Sequence, residues 1–276
     1  MTKLILCFFS ALLFLGGCAH APAPVSSERI AEIIASPDRR PADRTFDLRR
    51  KPAEMLAFIG VRPGMVALDL SAGGGYTTEL IARAVGPQGR VYGQSRARDP
   101  NSPPPAPPAP EGNSTGVAAA AAPPKPPAIP SPVALAERAK NPAAGNIVAV
   151  VRPFEDPVPP EVGPNGLDLA TLMYNYHDLA WLKIDRDRMN RAVFAALKPG
   201  GIYVITDHAG RPGTGVSEAG TLHRIEEAFL RKEVEAAGFR YVATGNYLRN
   251  PNDPRDRNTP EPPQPKDGFV LKFVKP

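Results

Sequence analysis

Cysteine is nearly absent from the 276 residues, which hold only Cys7 and Cys18. Both fall in the first eighteen positions, so no disulfide framework can staple the rest of the chain. An apolar run of spanning length is missing as well. The run from Leu4 to Gly17 falls short of the ~20 residues that a membrane-crossing helix needs. Charge of one sign is not massed either: the formal net charge is +5, with Lys and Arg interleaved among Asp and Glu, which does not imply a nucleic-acid partner. The one basic cluster, Arg49-Arg50-Lys51, reads as a solvated patch beside a helix. No internal repeat is found, which removes solenoids and propellers. Histidine is scarce too, and no two of His177, His208 and His223 stand at short ligand spacing, so no metal site is expected.

What is present begins with Lys3, the apolar run and Leu15-Gly16-Gly17-Cys18. A positive start, a short apolar middle and a small-residue end are the parts of an export signal. The Leu-Gly-Gly-Cys ending resembles a bacterial lipoprotein box. The resemblance implies cleavage before Cys18, acylation of its sulfur, and a chain held at the cell-envelope membrane surface, facing the periplasm. The expected organisation is a signal over 1–18, a spacer with one short helix over 19–50, and one domain over 51–276.

A hydrophobic content of 42% is enough for a substantial core. The centre of the chain is Val66-Ala67-Leu68-Asp69-Leu70-Ser71-Ala72-Gly73-Gly74-Gly75-Tyr76, an apolar strand, a glycine turn and a helix start. Consecutive glycines reach positive φ and let a ligand approach their N–H groups. A strand feeding a helix through such a turn puts that ligand at the carboxyl edge of a parallel sheet. Further strands are expected over Gly89–Gln94, Asn146–Val151, Leu167–Met173, Ile202–Thr206, Phe239–Val242 and Phe269–Val274. Helices are expected between them, including one continuous helix over Ser217–Ala237. Thirteen prolines between Pro100 and Pro132 favour extended, solvated chain, so 97–132 reads as an insertion in one loop. The alternation predicts an α/β domain with a doubly wound, mostly parallel sheet and a closing antiparallel hairpin.

Asp69 to Gly75 lines up with the Asp-x-Gly-x-Gly-x-Gly turn, and Leu197-Lys198-Pro199-Gly200-Gly201 with the Leu-Lys-Pro-Gly-Gly turn, of class I S-adenosylmethionine-dependent methyltransferases, which the chain resembles from about Lys51 onward. The resemblance implies seven strands, S-adenosylmethionine as cofactor and a small-molecule acceptor. It implies that Asp69, Ser71, Ala72, Gly73 and Gly75 hold the cofactor, with Tyr76 beside its sulfonium or packed on the sheet. Gln94 stands where the family has an acid that grips the ribose, and Ser71 where it has a glycine. Asp156 is the choice for the adenine amine. His177 and His208, each beside an aspartate after a strand, are the candidate bases. A second reading stays open: a non-catalytic binding module of the same fold at the membrane surface.

Overall fold

The computed structural model describes residues 22–97, 129–258, 260 and 264–276. The lipoprotein-type signal with Cys18, and nearly all of the proline-rich insertion, lie outside the described residues.

Seven strands form one sheet: β1 (Val66–Leu70), β2 (Arg90–Ser95), β3 (Ile147–Val151), β4 (Leu167–Met173), β5 (Leu197–His208), β6 (Arg240–Gly245) and β7 (Gly268–Val274). Their order is β3-β2-β1-β4-β5-β7-β6. The first five in the chain run parallel, and β7 lies antiparallel between β5 and β6. The sequence implies this mixed α/β sheet because its strands are short apolar runs without polar alternation, as expected when helices cover both faces.

Helices α1 (Ser27–Ala35), α2 (Pro41–Arg50), α3 (Pro52–Ile59), α4 (Tyr76–Val85) and α5 (Ser131–Ala139) precede β3. Helices α6 (Tyr176–Trp181), α7 (Arg186–Ala196), α8 (Ala219–Leu222) and α9 (Glu227–Ala236) follow β4. Successive residues of β1 serve opposite faces. Leu68 and Leu70 join one apolar core with Leu179, Val193 and Leu230, while Ala67 joins the other with Met55, Leu80 and Leu135. Each leucine buried in this way contributes roughly 1.5–3 kcal/mol. Ile30 and Ile33 of α1 belong to the second core, so the packed body reaches back beyond Lys51.

Three elements differ from expectation. Helix α2 has no apolar stripe to announce it; ion pairs hold it instead, Asp43 with Arg138 and Asp47 with Arg39. The single helix expected over Ser217–Ala237 is broken. His223 takes φ 51°, Arg224 turns inward, and Ile225 forms a parallel bridge with Ala209 before α9 begins. His223 and Glu226 therefore do not share a helix face, and Glu226 instead accepts the Gly215 N–H at 2.9 Å. The loop after β6, expected to be a plain polar hairpin, is pinned through Asp253. That carboxylate pairs with Arg224, and both side chains are fully buried.

Candidate cofactor and acceptor site

Neighbours β1 and β4 lead their chains to opposite sides of the sheet, and the crevice outside their carboxyl ends is where open α/β sheets bind ligands. Asp69 lies there, fully buried, accepting hydrogen bonds from Thr78 Oγ1 at 2.6 Å and Thr171 Oγ1 at 2.7 Å. Burial raises its carboxyl to about 6, against the downward pull of the two hydroxyls and of the Arg50 charge. Ser71 (φ 53°), Gly73 (φ 53°) and Gly75 (φ 81°) give the turn its left-handed residues. At Gly75 a Cβ would stand 2.8 Å from Arg138 Cδ and Leu135 Cδ2, so the third glycine is required by packing as well as by φ.

Asp69, Ser71, Ala72, Gly73 and Tyr76 line a cavity of about 260 Å³ together with Arg50. Helix α2 roofs it. The Tyr76 hydroxyl donates to Asp47 Oδ1 at 2.7 Å, and two cations lie over the Tyr76 ring, Arg50 at 5.2 Å and Arg39 at 6.0 Å from its centroid. Arg138 anchors the roof: its guanidinium reaches Asp43 at 2.6 Å, Glu79 at 2.5 Å and the Gly74 carbonyl at 2.5 Å.

Three residues expected at the cofactor, Gly75, Gln94 and Asp156, do not line this cavity. Gln94 is buried with both ends of its amide engaged, Oε1 accepting from the Ser71 N–H at 3.0 Å and Nε2 donating to the Arg152 carbonyl at 2.7 Å. It braces the turn from behind rather than lining the cavity. Asp156 is half-exposed and paired with Arg152, a neighbour four residues away, and does not line the cavity either.

A second cavity, about 460 Å³, opens at the same sheet edge beyond α2. Its walls include Arg49, Lys51, Arg249 and Lys266, with Tyr174 and His208, and no carboxylate among the described residues. In the basic cluster Arg49 and Arg50 are thus part-buried and Lys51 is exposed. Arg50 faces the first cavity, Arg49 and Lys51 the second. Tyr174 stands between them at φ 58°, a strained conformation for a bulky residue. Its ring has Arg50 at 5.1 Å on one side and the His208 ring at 5.3 Å on the other. A cavity of about 670 Å³ beside Arg29, Arg83 and Asn146 lies at the amino edge of the strands. It is remote from this chemistry.

The two histidines differ in kind. Burial opposes charging of His177, but Asp207 and Asp178 on either side outweigh it and raise its pKa to about 10. A ring that already carries its proton cannot act as a base. His208 is neutral: burial first, then the charges of Lys266 and His177, hold it well below the ordinary histidine value. Sequence reading missed Arg50, Arg138 and Ser95. Ser95 closes β2 with a buried hydroxyl that has no partner among the described residues. The signal for Arg50 was the basic cluster, while nothing local marks Arg138, whose partner Asp43 is 95 residues away.

No family model matches the chain, and no curated protein is significantly similar to it. Solved structures do match. An S-adenosylmethionine-dependent methyltransferase from Aquifex aeolicus is 14% identical, with 91% of this chain and all of that one covered and a TM-score of 0.55. The cyclase SpnF is 16% identical, with 93% and 98% covered and a TM-score of 0.53. An arsenic(III) S-adenosylmethionine methyltransferase from Chlamydomonas reinhardtii is 16% identical, with 92% and 74% covered and a TM-score of 0.52. At such identities the likeness is one of fold, and the fold is that of S-adenosylmethionine-dependent methyltransferases.

Proposed function

We propose that the chain binds S-adenosylmethionine and transfers its methyl group to a small-molecule acceptor. The observation that carries this reading is the pair of cavities at one sheet edge, the turn from Asp69 to Gly74 in the first and His208 in the second, parted by the last turn of α2 and Tyr174. The first cavity suits the cofactor's amino-acid end. Arg50 Nε is buried with no hydrogen-bond partner among the described residues beside Asp69, a donor for a carboxylate, while Asp69 itself accepts from an ammonium. Ser95 offers its orphaned hydroxyl at the end of β2. At about 260 Å³ the cavity is below the usual ~300–1,000 Å³ of ligand sites, so the cofactor extends beyond it toward β2.

The cofactor supplies an electrophilic methyl carbon on a sulfonium. The chain's part is alignment, plus a base where the acceptor must lose a proton. His208 is the candidate base, because its imidazole is uncharged and lines the acceptor cavity. Incubating the protein with methyl-labelled cofactor and small-molecule extracts tests this. Label transfer is expected in the wild type and is expected to fall by about 10²–10⁴-fold in His208→Ala. Transfer absent from the wild type, or unchanged in the variant, would contradict it.

One observation favours the second reading, a binding module without transfer: Gln94 spends its amide inside the protein rather than on a ribose. Cofactor binding without product would support that reading. Anchorage at the membrane surface through acylated Cys18 is supported by the sequence Leu15-Gly16-Gly17-Cys18, and loss of membrane fractionation in Cys18→Ser tests it.

A further inference from the structure

We infer that His177, Asp178 and His223 form a binding site for a first-row divalent cation such as zinc, manganese or cobalt. Two separate elements bring them together. Tyr174 and Asn175 turn the chain after β4, so that His177 and Asp178 fall in the first turn of α6. His223 arrives from the other side, at the left-handed residue that ends α8.

One ligand atom from each residue lies within 4.8 Å of the other two. His177 Nε2 is 3.3 Å from Asp178 Oδ1, and His223 Nδ1 is 3.4 Å from the same oxygen. Metal bonds of about 2.0–2.1 Å in tetrahedral array leave ligand atoms about 3.3–3.4 Å apart, so two edges of the site already have that length. Two imidazoles and one carboxylate suit zinc and its first-row neighbours rather than calcium or magnesium.

Outer groups hold the ligands in the required sense. Asp207 Oδ1 takes the His177 Nδ1 proton at 2.6 Å, and its Oδ2 takes the His177 backbone N–H at 2.8 Å. An ionised carboxylate only accepts, so Nδ1 donates to Asp207; Nε2 is turned to Asp178 and His223, and an ion bound there replaces the proton that Nε2 carries in its absence. Asn175 Nδ2 donates to Asp178 Oδ2 at 2.9 Å, which leaves Oδ1 for the ion. A carboxylate behind the ligating histidine is the usual support of a metal site. Lys266, whose charge is felt at Asp178, is tied to Asn258 and the Leu222 carbonyl. The His177 side chain is buried while those of Asp178 and His223 are part-exposed, so one flank is closed and the other open to an oxygen ligand. The His208 ring, which lines the acceptor cavity, lies 6.0 Å from that of His177. The site nevertheless stands without the methyl-transfer reading.

Calorimetric titration of zinc, manganese and cobalt salts into the chelator-stripped full chain tests it. One equivalent is expected to bind, at micromolar affinity or tighter for at least one ion. His223→Asn keeps a residue tolerant of the left-handed conformation and removes an imidazole, and Asp178→Asn removes the charge. Each is expected to weaken binding at least tenfold, with thermal unfolding monitored to confirm the fold. Asp207→Asn is expected to weaken it by about 10–100-fold through His177 alone. No binding at 1 mM of any of the three ions, or undiminished binding in either His223→Asn or Asp178→Asn, would overturn the assignment.

Discussion

Asp69 places a functional need against stability. Its folded pKa of about 6 stands above the ordinary 3.8, so the folded chain binds that proton more tightly than the unfolded one. Stability therefore falls as pH rises from about 4 to about 6, and the loss is complete above that window. The difference amounts to about 3 kcal/mol at 1.36 kcal/mol per pH unit. Asp69→Asn is expected to be about 1–3 kcal/mol more stable than wild type at pH 8, with the dependence between pH 4 and 6 flattened, in urea unfolding at pH 4, 6 and 8. Equal slopes for the two proteins would refute this. Ser71 shows the same tension in the backbone: at φ 53° it occupies a conformation that costs an L-residue about 1–2 kcal/mol and a glycine little. That is the physical content of the glycine which the family pattern has there.

At the scale of elements, what was legible depended on what holds each piece. Strands and apolar helices are held by burial, and burial is written locally as runs such as Val66–Leu70 or as spaced isoleucines in α1. Helix α2 and the loop bearing Asp253 are held by ion pairs, and the partners of Asp43 and Asp253 come from distant sequence, so no apolar pattern marks them. The break at His223–Glu226 was equally hidden, because Arg224 looks like a surface residue until Asp253 is placed beside it. Each of these pairs has a measurable consequence. Asp43→Ala leaves Arg138 short of a partner, and a loss of ~1–3 kcal/mol for such a contact should speed hydrogen exchange across 41–50 by tenfold or more, while exchange in β1 and β4 stays unchanged. Uniform protection of α2 in the variant would mean that something else holds the roof. Asp253→Ala leaves a fully buried Arg224 guanidinium uncompensated, and is expected to cost about 3–5 kcal/mol in denaturant unfolding. Replacing both residues by apolar ones of similar size should restore most of that, because the intact pair owes much of its strength to the cost of stranding one charge. A double variant no more stable than Asp253→Ala would contradict the account.

For the whole molecule, the mostly parallel α/β sheet and its closing antiparallel hairpin were legible in the alternation of apolar runs, while the order of the strands was not. The identity of the turn at the crevice was legible from Asp69 and its glycines. The division of the crevice into two cavities was not, since it depends on where α2 lies and on a single strained tyrosine. Nor was the meeting of His177, Asp178 and His223, because spacing along the chain says little about residues that separate loops bring to one edge. The central claim is that the first cavity takes S-adenosylmethionine, and calorimetric titration of that cofactor and of S-adenosylhomocysteine into the full chain tests it most directly. Binding of one equivalent of either ligand is predicted, weakened at least tenfold in Asp69→Ala. No heat at millimolar ligand, or equal binding by the variant, would contradict it.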